Sequence, residues 1–336
     1  MLFMEREPNI FGKNLTPEDT QKASENLVKY FEKAALPMEN EVKKTPEEIK
    51  VIEKTNEYLA QEFSELGIEK IPEITPEQFH ILGGQKYNAL TNEENPLHPQ
   101  STGTYSSRVN GVIINKAPSR GRLALYKTIL HEAVHMASFQ SHHIDKEEAR
   151  ATPYRVGYTA YNTRDDHEHF RALNEAVADK TVVDLLVKHR EDFIKELNVT
   201  QEEIKKSRAS YYRFEMDVLN VILEKIASEK KEDVSAVWQR FKKGQFTGDM
   251  LHLKDIEHIF GKGALRVLSA MDYEGKDLPP KEVNRLVWRY FKEADNEERE
   301  QIAQKITGNI KELKYAGGKE LPEETLWEKM KNFVKE

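Results

Sequence analysis

The stretch from Leu123 to Phe139, LALYKTILHEAVHMASF, constrains this chain more than any other. Apolar Tyr126, Leu130, Ala133 and Ala137 recur at spacings of three and four, with Ile129 and Val134 widening the stripe, so the stretch reads as a helix. No Pro or Gly interrupts it, and Ser119 followed by Gly121 supplies a break and a start. On such a helix His131 and His135 lie one turn apart, and both imidazoles project from one face. Two nitrogens at that separation can share one Zn²⁺. Glu132 is rotated roughly 100° from His131. It stands beside the metal without ligating it, where a base must be to take a proton from a water that the ion activates.

A tetrahedral catalytic zinc needs three protein ligands and one open position. The near candidates for the third are His142 and His143, just past the helix. The metzincin arrangement would place a turn-forming Gly at the eighth position from the first His and a third His at the eleventh. Those positions hold Ser138 and Ser141 here, so the pattern is not met. The far candidate is Phe170 to Val187, FRALNEAVADKTVVDLLV, a second helical run with Phe170, Leu173, Val177, Val183 and Leu186 on its apolar stripe. Glu175 and Asp179 are four apart in it and share a face. Glu175 can be the third ligand. Asp179, one turn on, can accept a hydrogen bond from a ligand imidazole, fixing its tautomer and raising its basicity.

HEAVH at 131–135 followed by NEAVAD at 174–179 resembles the gluzincins, the thermolysin-like zinc metallopeptidases, whose pattern is HExxH, a loop, and then a helix carrying N-E-x-x-x-D. The resemblance implies His131, His135 and Glu175 as zinc ligands, Glu132 as general base and Asp179 as orienter. It covers about fifty residues, and the insert between the motifs is longer than in thermolysin.

Composition narrows the surroundings. Charged residues make up 32% of the 336 and apolar ones 38%, with net charge −7. A mildly acidic chain of this kind is not expected to bind nucleic acid nonspecifically. The absence of Cys excludes disulfides, thiolate metal sites and a cysteine nucleophile. The start, MLFMEREPNIFGKN, has no apolar run of signal-peptide length, and no segment approaches the roughly 18 apolar residues that span a bilayer. The expectation is a cytoplasmic protein without a membrane partner.

In chain order, T-P-E-D at 16–19 and T-P-E-E at 45–48 mark two helix starts, with stripes on Leu27, Tyr30, Phe31 and Ala34 and on Ile49, Ile52, Tyr58, Leu59 and Phe63. Phe79 to Leu82 reads as a short strand ended by Gly83-Gly84, and 88–101 as a loop. Thr102 to Lys116 reads as a hairpin, its strands Tyr105–Val109 and Val112–Asn115 joined by Asn110-Gly111. By the resemblance, Val112–Asn115 is the sheet edge along which substrate lies, with Ile114 and Asn115 as substrate contacts through free backbone groups. A core hairpin is the other reading. Between 141 and 166 the run Tyr154–Tyr161 suits a strand or a pocket-lining loop. Tyr158, Tyr161, His167 and His169 are candidate donors to an oxyanion. Asp165–His169 does not read as a second metal site, since neighbours on a helix start diverge. Beyond His189 everything reads as helical: 200–228, 233–243, 251–260, 265–271, 279–294, 297–310 and 321–334, without a repeat. Tyr211, Tyr212, Arg213, His252 and His258 are possible contributors to a cleft.

The expected fold is therefore α+β. A helical N-terminal segment spans 1–66, a zincin-like catalytic core with a small mixed sheet and an active-site helix spans 67–190, and an all-helical C-terminal lobe spans 191–336. The expected function is zinc-dependent hydrolysis of a peptide or protein substrate. An intracellular regulatory protease with one dedicated protein substrate stays open, as does an inactive zinc-binding interaction protein. Oligomeric state is not readable.

Overall fold

The computed structural model describes residues 9–12, 15–34, 41–70, 72–83, 102–107, 110–116, 121–145, 150–161, 168–206, 212–272 and 278–312. Ser119, Gly84, Val109, the loop at 88–101, Asp165, Asp166, His167, Tyr211 and the helix expected at 321–334 lie outside them. The described residues form a mixed α+β fold. Two compact units share the chain: Met1–Val156 with Ala178–Tyr211, and Gly157–Val177 with Tyr212–Glu336.

In the first unit, β1 (Asn9–Phe11) precedes α1 (Pro17–Ala34) and α2 (Pro46–Glu65). Thr45 and Glu48 cap α2 reciprocally, which satisfies two backbone N–H groups that a helix start leaves without partners. Then come β2 (Phe79–Gly83), β3 (Gly103–Ser106), β4 (Gly111–Lys116) and α3 (Arg122–Ala137). The sheet order is β2-β4-β3: β2 runs parallel to β4 with Ile81 opposite Ile114, and β3 runs antiparallel to β4 with Thr104 opposite Ile113.

The hairpin forms, but its ladder closes at Ser106↔Gly111, so four residues join the strands where two were expected. Asn110 supplies the left-handed residue of that connection, at φ 48°. The expected edge is also displaced. Val112–Asn115 belongs to the central strand, paired on both sides, so its backbone cannot take up an added strand. Ile114 is buried in the core and Asn115 donates its N–H to the Thr102 carbonyl, so neither is an edge contact for substrate.

Helix α3 packs on β3, β4 and α2. Leu123, Tyr126, Ile129, Leu130, Ala133, Val134, Met136 and Ala137 are all buried, so it is enclosed on several sides rather than striped. Gly121 starts it at φ 72°, a left-handed conformation that costs a residue with a Cβ. At its end the Ser138 hydroxyl donates to the Val134 carbonyl at 2.7 Å. Strands β5 (Gln140–Asp145) and β6 (Arg150–Val156) follow as an antiparallel pair, with β1 parallel to β5 on its other side.

The α2 helix is a structural member of this unit. Val51, Ile52, Tyr58, Leu59 and Phe63 are buried. Glu48 pairs with Lys116 of β4 at 2.6 Å, and the Tyr58 ring stacks on His189 at 3.8 Å.

In the second unit, β7 (Thr159–Tyr161) pairs antiparallel with β8 (Glu168–His169). Helix α4 (Arg171–Lys188) begins here and continues unbroken past Val177 into the first unit. It leads to α5 (Arg190–Lys195) and α6 (Gln201–Lys206) of the first unit. The remaining helices are α7 (Arg213–Lys230), α8 (Val234–Thr247), α9 (Lys254–Phe260), α10 (Ala264–Ser269), α11 (Pro280–Lys292) and α12 (Asn296–Glu312). Val218, Leu219, Ile222 and Ile226 of α7 pack in one core with Phe241, Phe260, Leu265, Val287 and Phe291.

Candidate metal centre

Helical spacing brings His131 and His135 together on α3. Their Nε2 atoms face each other at 3.1 Å, with the rings at 79° and their centroids 4.7 Å apart. Two neutral imidazoles do not approach this way through two lone pairs; a proton or a cation must stand between them. Nitrogens each about 2.0–2.1 Å from a tetrahedral Zn²⁺ are about 3.3 Å from one another, close to the observed separation. Glu175 of α4 completes the set: one ligand atom from each of His131, His135 and Glu175 lies within 4.8 Å of the other two. Among the described residues this is the one such group that can hold a metal ion.

Asp179 is one turn after Glu175 on the same helix, as the spacing predicts. Its Oδ1 lies 3.6 Å from His131 Nδ1, an ion-pair separation slightly beyond hydrogen-bond length. Lys127, one turn before His131, is buried as well, at 4% exposed. Burial lowers the pKa of its ammonium, and the charge of Asp179 acts in the opposite direction. Lys127 carries one signal in the sequence, an ionisable residue inside LALYKTIL one turn before His131.

Glu132, next to His131 in sequence, is buried as well. Its side chain lies against Gly103 of β3: a Cβ built at that glycine would stand 3.0 Å from Glu132 Cγ and 3.1 Å from Oε1. The strand next to Glu132 is thus β3, one of the two outer strands of its sheet among the described residues.

The alternative ligands serve elsewhere. His142 Nε2 faces the Ser107 carbonyl at 3.4 Å, and the His143 ring packs edge-on against Phe11. Burial lowers the His142 pKa, against the effect of the Ser107 carbonyl.

The Tyr158 hydroxyl is fully buried, donates to the Phe241 carbonyl at 2.7 Å and meets His252 Nε2 at 2.6 Å. With its single proton given to Phe241, it accepts from His252. His169 Nδ1 lies 3.3 Å from Ser269 Oγ, Tyr161 is half-buried on β7, and Tyr212 precedes α7. Arg213 and His258 are exposed.

Asn174 is buried, and its Oδ1 accepts the Tyr158 N–H at 2.9 Å.

Comparison with protein families, with curated proteins and with solved structures found no match.

Proposed function

We propose that the protein is a zinc-dependent metallopeptidase with a zincin-like core of the gluzincin kind. The observation that carries this reading is the convergence of His131 and His135 Nε2, 3.1 Å apart, with a Glu175 oxygen in the same group. Two imidazoles and one carboxylate suit Zn²⁺ and match the ligand set of zinc sites that hydrolyse peptides.

When bound, Zn²⁺ supplies Lewis acidity, which acidifies a water and polarises a peptide carbonyl. Glu132 lies outside the ligand set and acts as general base. It takes the proton of the attacking water and then hands it to the leaving amine. Asp179 keeps the proton of His131 on Nδ1 and leaves Nε2 available for ligation. The buried charge of Asp179 faces the Nδ1–H of His131 and interacts with the Lys127 ammonium.

The experiment is proteolysis of an unstructured polypeptide by the zinc-loaded protein, by the same protein stripped with a chelator, and after zinc is restored. Cleavage that disappears and returns supports the proposal. Cleavage that survives complete metal removal, or its absence from fully loaded protein, contradicts it.

A further inference from the structure

We infer that Gly103 is a positioning residue for Glu132, its missing side chain setting where the carboxylate stands. The inference rests on the reading of Glu132 as general base. Gly103 opens β3, and a glycine in a paired strand position loses packing and backbone order, its usual reason being the close approach of another group. At Gly103 that group is named. A Cβ there would meet Thr128 Cγ2 at 2.6 Å, Glu132 Cγ at 3.0 Å and Glu132 Oε1 at 3.1 Å.

Both neighbours belong to α3. Thr128 is held there by its own hydroxyl, which donates to the Ala124 carbonyl at 3.0 Å. Gly103 is held by the ladder, opposite Ile114. With helix and strand both fixed by buried partners, an added methyl is absorbed by the Glu132 side chain, the softer of the two once Thr128 is trimmed. The displacement required is a few tenths of an ångström, at the group that must reach a water proton. Misplacements approaching 1 Å cost about 10²-fold in rate, and a shift of this smaller size predicts about tenfold.

The test separates the two contacts. Thr128→Ser keeps the hydroxyl and removes Cγ2, so Gly103→Ala in that background meets only Glu132. Thr128→Ala is a roomier partner should the first pair fold poorly. Zinc affinity, melting temperature, KM, kcat and the affinity of acetohydroxamic acid, whose hydroxyl proton a carboxylate takes on binding, are measured for each variant.

The expected result for the double variant is parental zinc affinity, melting temperature and KM. Its kcat and hydroxamate affinity should each fall about tenfold, while Thr128→Ser alone behaves as the parent. A double variant with parental kcat and hydroxamate affinity overturns the inference, as does one whose zinc affinity falls in step with kcat. Glu132→Gln, measured alongside, keeps the two levels apart. If it retains parental turnover and hydroxamate affinity, the reading of Glu132 fails; if it loses them while the double variant does not, only the role of Gly103 fails.

Discussion

His131 Nδ1 stands 3.6 Å from Asp179 Oδ1, and the Asp179 side chain is only 2% exposed. A buried charge aimed at the back of an imidazole fixes the ring and raises its basicity. Asp179→Ala should therefore weaken zinc binding by about 10- to 100-fold, as loss of such a partner does. Glu175→Ala, which removes a ligand outright, should weaken it further. Competition with a chromophoric chelator reads both. Unchanged affinity in Asp179→Ala would reduce the match on α4 to a single carboxylate.

Asn174 ties the turn before β7 to the start of α4. Gly157, at φ 55°, leaves no room for a Cβ against the Asn174 amide, so turn and helix are fitted to each other. Asn174→Ala leaves the buried Tyr158 N–H without its acceptor and should cost about 1–3 kcal/mol. Urea denaturation at neutral pH measures it, and a stability equal to the parent would show that another acceptor replaces the amide.

His142 and His189 make stability fall on acidification. Burial lowers both pKa values; at His189 the Lys188 charge adds to this while Asp192, Glu62 and Glu65 oppose it, and the Ser107 carbonyl opposes it at His142. The unfolded chain, with histidines near the ordinary value of about 6.5, binds protons before the folded one does. The stability these groups contribute is complete above that value. It is lost as pH falls from there through the lower folded pKa values. His189→Phe keeps a ring on Tyr58 and removes the titration. Between about pH 7 and about pH 5.5 its urea midpoint should drop less than the parent's. An equal drop would place the proton uptake elsewhere.

The candidate metal site was legible because its parts are local. His131 with His135, and Glu175 with Asp179, are pairs one helical turn apart, and only their meeting is long-range. The paired strands around β4 were legible individually, as Phe79–Leu82 and the hairpin, but not their order. Which strand is central depends on the parallel pairing of β2 with β4, which no local pattern encodes. The run Gly111-Val-Ile-Ile carried a hint, since central strands are apolar on both faces. β5 was missed because SHHID has little alternation, and Tyr158 was read as a donor because burial behind α8 leaves no mark in YRVGYTAY. The start at Thr45 was legible from T-P-E-E, and the reciprocal cap between Thr45 and Glu48 is the physical reason for it.

Hydrolysis as proposed depends most on Glu132 acting as a base beside three ligands rather than as one more polar residue in the core. Glu132→Gln keeps the size of the side chain and removes its capacity to accept a proton. Zinc content and peptide turnover measured on one preparation of this variant test the claim most directly. The predicted result is parental zinc content with turnover reduced by about 10²- to 10⁴-fold or more. Parental turnover at full zinc content would contradict it.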